Sequence, residues 1–494
     1  MNKPAFPASD QATGALLDEL MVLRAQVVAD AEPLLRRFGC AGDQDRAAVA
    51  NLAHYLAFRR QDLRGLQRRL MCRGVSSLGR LEGRVLPTLD AVICTLSAMT
   101  GQVSPLPRPS EHDYFDGERR LQQATDRLFG KPPERRRERI MVTLPSSAAD
   151  DPAFILDLAQ RGMDIARINC AHDDRAAWKA MTDHIGAASS AVGRKIAVLM
   201  DIAGPKIRTE AVLALDKKAK LNPGDALRLV ATSAPRVTND VPFSAAVSLP
   251  ELVTRLTVGD HVLYDDGKVE GVVEQRGEDE AVIRIHRSKA KGTRLVPEKG
   301  LNVPDTALGL SPLTGKDHQD LEAVIECADM IGYSFVSQPD DIDLLEKILA
   351  GRDAAHPLGL VAKIERPEAI RNLPDLIARA VTRRPLGIMI ARGDLAAEIG
   401  FERLAEMQEE ILWICEAAHV PVIWATQVLE GLVKNGTPSR GEMTDAAMSA
   451  RAECVMLNKG PAIATAVELL DGLLTRMDAH LFKKTPTLRA LKSW

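Results

Sequence analysis

The first 138 residues carry apolar side chains at helical spacing. Leucines and valines recur every three or four residues from Leu16 to Leu34, along 45–72 and 77–99, and again between 117 and 129. This spacing puts apolar side chains on one face of an α-helix. The pattern predicts an N-terminal helical domain over residues 1–138, joined to the rest of the chain by the charged connector 131–139.

After residue 139 the pattern changes to short apolar runs that alternate with helical stretches. The eight runs are 140–144, 165–168, 196–200, 330–333, 358–364, 387–390, 420–425 and 454–457. Short buried strands, each followed by a helix, are typical of an α/β fold with a closed parallel barrel. We therefore predict a (β/α)8 TIM barrel formed by residues 139–208 and 304–494.

The chain between the third and fourth runs is too long for one helix. Strand candidates at 212–215, 226–230, 259–264, 268–274 and 281–287 are separated by turn sequences such as Asn222-Pro223-Gly224. Short strands bounded by such turns indicate an all-β unit. Residues 209–303 are therefore predicted to form a small β-barrel domain inserted into the TIM barrel.

Polar residues end five of the eight predicted barrel strands. They are Arg167 and Asn169, Asp201, Lys363 and Glu365, Arg392 to Asp394, and Thr426 with Gln427. Because the active site of such a barrel lies at the carboxyl ends of its strands, these side chains are predicted to converge on one site.

The residue types at these ends fit together chemically. Glu365 and Asp394 offer the oxygen ligands that Mg²⁺ or Mn²⁺ prefers. Lys363 and Arg167 add positive charge, which suits a phosphoryl group or an enolate. Gly393 permits close approach of the backbone, so that amides could hold a substrate carboxylate. Neither the GxxxxGK[ST] loop nor the GxGxxG fingerprint occurs in the sequence.

Composition excludes several other classes of protein. The 64 basic and 67 acidic residues give a formal net charge of −3, which argues against a general nucleic-acid binder. The seven cysteines include no CxxC pair, so neither a disulfide framework nor a structural zinc site is expected. No signal peptide and no apolar run of membrane-spanning length is found, and we expect a cytoplasmic protein without a membrane partner.

The sequence resembles the pyruvate kinase family over about residues 139–475. The matching segments are GMDIARINCAH (162–172), MDIAGPKIRTE (200–210), VGDHVLYDDGKV (258–269), PEKGLNVPD (297–305), AKIERPEAI (362–370), MIARGDLAAEIG (389–400) and PVIWATQVLEGLVKNGTPSRGEMTDAA (421–447). The resemblance implies a barrel with a β-domain lid. It also implies conversion of phosphoenolpyruvate and ADP to pyruvate and ATP through a metal-stabilised enolate.

The resemblance also implies roles for individual residues. Glu365 and Asp394 would hold the divalent metal, Lys363 would stabilise the phosphoryl group during transfer, and Arg167 would bind the phosphate. The amides of Gly393 and Asp394 would bind the carboxylate, beside Thr426, which would help to deliver the proton. The nucleotide would be bordered by Arg208, Lys299, Pro145 and His172.

The monovalent-cation site of the family, implied at Asn169 and Asp201, is altered in this sequence. Ala171 and Ile202 replace residues that carry hydroxyl ligands, and Lys206 replaces an acidic residue. Because a fixed ammonium can substitute for a bound cation, we expect activity without K⁺. An alternative, compatible with the first, is that Lys206 only neutralises Asp201.

Other departures concern the ends of the barrel and of the chain. The first strand is one residue shorter around Pro145, and Asn458-Lys459-Gly460 replaces Ser-Gly-Glu-Thr after the eighth strand. Lys459 would change the phosphoryl acceptor, add an anion contact, or point to solvent. The family's C-terminal regulatory domain has no counterpart here, so regulation through it is not expected.

The N-terminal domain has no assigned role. Its arginine-rich stretch 58–73 is an anion-binding surface, a solvated helix face, or part of an oligomerisation module, and a homo-oligomer is expected. Two other functions remain open for the whole chain: a metal-dependent lyase acting on enolpyruvate or a 2-oxoacid, and a catalytically inactive regulatory binding protein.

Overall fold

The computed structural model describes residues 9–39, 43–306, 309–350, 352 and 357–486. The described part of the N-terminal region contains helices and no strand, as predicted. These helices are α1 (Ser9–Phe38), α2 (Asp43–Arg59), α3 (Arg64–Met71), α4 (Val85–Met99), α5 (Glu111–Tyr114) and α6 (Asp116–Phe129). The predicted helical stretch 45–72 is divided where the Asp62 carboxylate accepts a hydrogen bond from the backbone N–H of Arg64, at 3.2 Å.

The first half of the barrel contains three strands in chain order. Its elements are β1 (Arg139–Thr143), α7 (Pro152–Arg161), β2 (Ile165–Asn169), α8 (Arg175–Val192) and β3 (Ala197–Asp201), with a 3₁₀ turn at Ser146–Ala149. Nearly every residue of these strands is buried, because helices cover the outside of the barrel and side chains fill its interior.

The inserted β domain follows β3 and has an apolar core of its own. Its elements are β4 (Thr209–Ala214), β5 (Ala226–Val230), β6 (Phe243–Val247), α9 (Pro250–Arg255), β7 (His261–Tyr264), β8 (Val269–Arg276), β9 (Glu280–Arg287) and β10 (Leu301–Asn302). These strands form one sheet in the order β10-β7-β8-β9-β5-β6-β4. The strand β6 was not predicted, because its Ser-Ala-Ala centre lacks the large side chains that mark a strand.

The second half of the barrel supplies five strands. Its elements are α10 (Gly315–Cys327), β11 (Met330–Tyr333), α11 (Pro339–Leu349), β12 (Gly359–Ile364), α12 (Pro367–Arg371), α13 (Leu373–Val381), β13 (Leu386–Ala391), α14 (Arg392–Ile399), α15 (Phe401–Ala417), β14 (Val422–Ala425), α16 (Glu430–Asn435), α17 (Arg440–Met448), β15 (Cys454–Leu457) and α18 (Ile463–Asp478). The eight strands run parallel, and β15 pairs with β1 to close the barrel, which confirms the predicted fold class.

Among the described helices, none combines the length and the apolar character needed to cross a membrane.

The end of α6 closes the bottom of the barrel. Leu128 and Phe129 share an apolar cluster with side chains from the barrel strands, among them Met141 and Met389. A Cβ atom at Gly359 would overlap Leu128 Cδ1, and one at Gly387 would lie 2.6 Å from Leu128 Cδ2. The glycines near the starts of β12 and β13 therefore make room for this plug.

The connector between the helical region and the barrel is fixed by ion pairs. Its arginines pair with carboxylates as follows: Arg135 with Asp471, Arg136 with Asp164 and Asp471, Arg137 with Asp478, and Arg139 with Asp126. The Arg136 side chain is completely buried. Because a buried charge is tolerated only when it is paired, these contacts hold the connector in one conformation.

The described chain ends in a small hairpin, β16 (Leu481–Phe482) and β17 (Thr485–Pro486). At its turn, Lys483 pairs with Glu453 of the barrel and Lys484 pairs with Glu82 of the helical region. The hairpin thereby joins both parts of the molecule.

Replacing Leu128 by alanine would open a cavity beneath β12 and β13. We expect a loss of about 2–5 kcal/mol in the free energy of unfolding, as for other buried leucines. Urea titration followed by circular dichroism measures this loss. Leu215→Ala, at an exposed position in the inserted domain, is the control and should leave the unfolding midpoint unchanged. Equal effects of the two substitutions would contradict the role assigned to Leu128.

Candidate functional site

A buried carboxylate lies at the centre of the predicted site. Asp201, the last residue of β3, is 1% exposed and accepts a hydrogen bond from Arg167 Nε at 3.0 Å. Its other oxygen lies 3.2 Å from Lys363 Nζ. Burial by itself raises the pKa of Asp201, but the charges of Lys363 and Arg167 outweigh it and hold the pKa below the ordinary 3.8. Asp201 therefore orients two cations that come from two other strands, Arg167 from β2 and Lys363 from β12.

Lys363 lies between two carboxylates. Its Nζ is 2.9 Å from Glu365 Oε1 and donates a hydrogen bond to Ser334 Oγ at 2.7 Å. Burial lowers the pKa of Lys363, but the charges of Asp201 and Glu365 outweigh it and raise the pKa above the ordinary value. Lys363 consequently keeps its charge in a site with little water.

The backbone after β11 holds Glu365 in place. The N–H of Phe335 donates to Glu365 Oε2 at 2.6 Å. Phe335 has φ of 57°, a left-handed conformation that costs free energy for a residue with a side chain. Its ring packs against Gly204, where a Cβ atom would lie 2.8 Å from Phe335 Cδ2. The strained turn therefore aims an amide at a predicted metal ligand.

Asp394 is the predicted site residue that follows the next strand, β13. It lies in the first turn of α14, and its Oδ1 lies 2.7 Å from Lys206 Nζ. The alternative prediction, that Lys206 only neutralises Asp201, is therefore wrong, because the Lys206 ammonium pairs with Asp394 instead. Asp201 is neutralised by Arg167 and Lys363.

The residues predicted to hold the carboxylate lie where α14 meets the loop after β14. The N–H of Gly393 donates to Thr426 Oγ1 at 2.7 Å. Thr426 and Gln427 both have positive φ, 63° and 58°. Arg392 holds this turn, since it donates to the carbonyls of Ala425 and Thr426 at 3.0 and 2.7 Å and pairs with Asp445.

Glu365 and Asp394 have the chemistry of a divalent-cation site. Burial raises the pKa of Glu365, the Asp394 charge adds to this rise, and the Lys363 charge opposes it. Two carboxylates that repel each other in a buried setting favour a cation between them. Within the described ranges, no cluster of three or more His, Cys, Asp or Glu side chains is arranged for a metal. Glu365 and Asp394 therefore fit a metal that takes its other ligands from substrate and water.

The residues predicted to border the nucleotide lie on the barrel rim and the base of the inserted domain. Arg208 donates to the Glu298 carbonyl at 3.2 Å, and Lys299 Nζ lies 3.3 Å from Asp265. Pro145 directly follows β1 and precedes a 3₁₀ turn.

His172 lies among positive charges on this rim. Burial, together with the charges of Lys459 and Arg208, lowers the pKa of His172 below the ordinary 6.5 and keeps the ring neutral at pH 7. Lys459 is exposed, yet its charge reaches His172. The loop that carries it is tightly packed, because a Cβ atom at Gly460 would lie 2.5 Å from Val433 Cγ1.

The Asn169 side chain forms a hydrogen bond with the backbone of its own loop. Its Oδ1 accepts a hydrogen bond from the N–H of Ala171 at 3.1 Å. Its ladder partner on β3 is Asp201. The structure thus brings Arg167, Asp201, Lys363 and Glu365 into direct contact, whereas Asn169 forms part of the wall beside them.

Three residues that orient this site were not predicted from the sequence. Ser334 bridges Lys363 and the Ile202 carbonyl, to which it donates at 2.7 Å. Phe335 supplies the amide to Glu365, and Thr143 accepts a hydrogen bond from Arg167 Nη1 at 3.0 Å. Ser334 directly follows the fourth apolar run, so the rule that polar residues at strand ends belong to the site could have identified it. The Phe335 amide had no counterpart in the residue pattern.

Comparison with known proteins relates most of the chain to one family. Residues 135–465 match the family model described as "Pyruvate kinase, barrel domain". A pyruvate kinase of Agrobacterium vitis is 33% identical over 371 residues, which are 72% of each chain. A pyruvate kinase of Methylorubrum extorquens is 33% identical over 326 residues, 65% of this chain and 64% of the relative. The crystal structure of a pyruvate kinase from Cryptosporidium parvum aligns with a TM-score of 0.61 at 25% identity, covering 72% of this chain and 73% of that one.

Asp201→Asn would leave Arg167 and Lys363 without their shared carboxylate. We expect a loss of about 3–5 kcal/mol in the free energy of unfolding at pH 7, as for other broken buried pairs. The pKa of Asp201 is depressed in the folded state. Its contribution to the free energy of unfolding is therefore fully present at neutral pH and declines as the pH falls below the ordinary pKa of 3.8. Urea titrations between pH 7 and the acid limit of folding should show that the difference in free energy of unfolding between wild type and Asp201→Asn becomes smaller as the pH falls.

The matched control for this series is Asp240→Asn, at an exposed position in the inserted domain. It should change neither the stability nor its dependence on pH. A constant difference between wild type and Asp201→Asn at every pH would show that the substitution acts through packing rather than charge.

Proposed function

The chain belongs to the pyruvate kinase family of phosphotransferases, and we propose that it transfers the phosphoryl group of phosphoenolpyruvate to ADP, giving pyruvate and ATP. One observation carries the proposal. Lys363 is held charged between Asp201 and Glu365, beside Arg167 and one strand from Asp394. Two cations are thus fixed in position beside the two carboxylates that would serve as oxygen ligands.

In the first step the P–O bond to the enol oxygen breaks as the ADP terminal oxygen bonds to phosphorus. Negative charge spreads over the equatorial phosphoryl oxygens in such a transfer. Lys363 and Arg167 would face that charge. Their positions are set before substrate binds, so stabilising the transition state requires little reorganisation.

In the second step the enolate of pyruvate takes a proton at carbon. Its carboxylate would be held by the amides of Gly393 and Asp394 in the first turn of α14, where the backbone N–H groups favour an anion. The Gly393 amide, which donates to Thr426 Oγ1, would exchange that hydrogen bond for one to the substrate. The Thr426 hydroxyl already lies 2.7 Å from the Gly393 amide. Thr426 would therefore lie beside the carbon that is protonated and deliver the proton directly or through water.

Glu365 and Asp394 would hold Mg²⁺ or Mn²⁺. When bound, such an ion supplies positive charge that offsets developing charge on the phosphoryl and enol oxygens.

The nucleotide would lie between the barrel rim and the inserted domain. Arg208 and Lys299 at the base of that domain would meet its phosphates, with Pro145 and neutral His172 bordering it. Lys459 is exposed, and its charge helps to lower the pKa of His172, so it would add positive charge to the side of the site that borders the nucleotide. A lyase needs no nucleotide clamp, so the cations beside the inserted domain favour phosphoryl transfer to a nucleotide. The presence of Lys363, Glu365, Asp394, Thr426 and Arg167 together speaks against an inactive binding protein.

Lys206 supports activity without K⁺. Its ammonium pairs with Asp394, so a covalently attached charge already lies at the edge of the metal and carboxylate sites. A fixed ammonium does the electrostatic work of a bound monovalent cation without depending on its concentration.

Lys363→Met should abolish phosphoryl transfer, because the charge facing the transferring group is lost. We expect turnover to fall by about 100- to 1,000-fold or more. The measurement is pyruvate formation from phosphoenolpyruvate and ADP with Mg²⁺, with circular dichroism of the same sample to verify folding. Lys347→Met, at an exposed position on α11, is the control and should retain full activity. Undiminished turnover by folded Lys363→Met would refute the role of Lys363.

Turnover of the wild type should be the same in K⁺-free sodium buffer and after addition of K⁺. Lys206→Glu, which restores an acidic residue beside Asp394, should lose activity in sodium buffer and regain it with K⁺. Lys220→Glu, at an exposed position in the inserted domain, should behave like the wild type. A severalfold activation of the wild type by K⁺ would overturn the assignment of Lys206.

A further inference from the structure

A cavity of about 350 Å³ lies between the α2–α3 turn and the C-terminal hairpin. Its lining comes from residues 55–82 and from Lys484, all outside the segment matched by the family model. It is therefore separate from the catalytic site and independent of the function proposed for that site.

The arginines of the stretch 58–73 have different partners in the structure. Arg64 pairs with Asp62, and Arg69 pairs with Glu19. Arg73 donates to Thr13 Oγ1 and to the Arg69 carbonyl. These three arginines have their hydrogen-bonding capacity at least partly satisfied by the protein itself.

Arg59 is different. It lines the cavity, donates to the Tyr55 hydroxyl at 2.6 Å, and has no carboxylate partner among the described residues. Its guanidinium carbon lies 5.5 Å from the Tyr55 ring centre and 4.8 Å from the Trp413 ring centre. The two rings fix the position of this exposed guanidinium, which no carboxylate among the described residues meets directly.

A second cation approaches the same indole ring. Lys484 Nζ lies 4.9 Å from the Trp413 ring centre and pairs with Glu82. The charged residues that line the cavity are Arg59, Arg64, Lys484, Asp62 and Glu82. Three cations face two carboxylates, so the lining carries an excess positive charge.

Gln61 adds an unsatisfied donor. It lines the cavity, and its Nε2 is buried without an acceptor in the part of the chain that the structure describes. A buried amide nitrogen without a partner costs about 1–3 kcal/mol. Rotation of the terminal amide would turn this donor toward an acceptor bound in the cavity.

We propose that this cavity binds a phosphoryl group, either inorganic phosphate or a phosphate monoester. A guanidinium, an ammonium and an amide N–H group line it from α2, the C-terminal hairpin and the α2–α3 turn. A phosphoryl group presents at least three acceptor oxygens to such donors, whereas a carboxylate presents two. The bound group would neutralise the excess charge and satisfy the donors of Arg59 and Gln61.

Isothermal titration of the full chain with inorganic phosphate tests the proposal. We expect saturable binding with Kd on the order of 1 mM, which is ordinary for a small anion. Arg59→Gln should weaken binding about 10-fold, the loss expected for one charge-assisted hydrogen bond. Gln61→Ala should weaken it less, and provides a second variant if Arg59→Gln disturbs folding.

Two controls separate this cavity from other sites. Arg68→Gln, at an exposed position of α3 outside the lining, should bind phosphate like the wild type. Arg167→Gln, in the catalytic site, should also retain the binding. Methyl phosphate tested in parallel distinguishes a site that accepts monoesters from one restricted to inorganic phosphate.

Three results would overturn the proposal: no saturation at tens of millimolar phosphate, equal binding by wild type and both cavity variants, or acetate binding as tightly as phosphate. Loss of the binding in Arg167→Gln would assign the phosphate to the catalytic site instead.

Discussion

The catalytic end of the barrel depends on the ion pairs of Asp201. This carboxylate is almost completely buried and is shared by Arg167 and Lys363, which come from two different strands. A buried charge without a partner is costly, so the three residues constrain one another. Lys363 then holds Glu365, and the Phe335 amide holds the same carboxylate from the other side. One buried anion thus orients cations and a predicted metal ligand together.

Backbone strain occurs at three residues around this network. Phe335, Thr426 and Gln427 have positive φ, and each lies at or just beyond the carboxyl end of a barrel strand. Such conformations persist only where surrounding contacts enforce them. Gly204 makes room for the Phe335 ring, and Arg392 holds the carbonyls of the Thr426 turn. These strained turns place the Phe335 amide and the Thr426 hydroxyl where the proposed chemistry needs them.

The helical region contributes to the barrel as well as to its own fold. Leu128 and Phe129 close the bottom of the barrel beneath the strands that carry Lys363 and precede Asp394. The connector arginines and the hairpin lysines add ion pairs across the same boundary. The site and the helical region therefore share one continuous apolar core, and the helical region is not a loosely attached appendage.

The sequence by itself determined the barrel, the inserted β domain and the strand-end residues, because strand burial and the position of polar residues at strand ends both follow from periodicity. It did not reveal Ser334, the Phe335 amide or the Lys206–Asp394 pair. Those contacts join residues far apart in the chain, and the last spans 188 positions. It also left the arginines of residues 58–73 indistinguishable. Only tertiary packing decided that Arg69 meets Glu19 and that Arg59 stacks on Trp413 without a carboxylate partner among the described residues, since both contacts depend on helices brought together by the core.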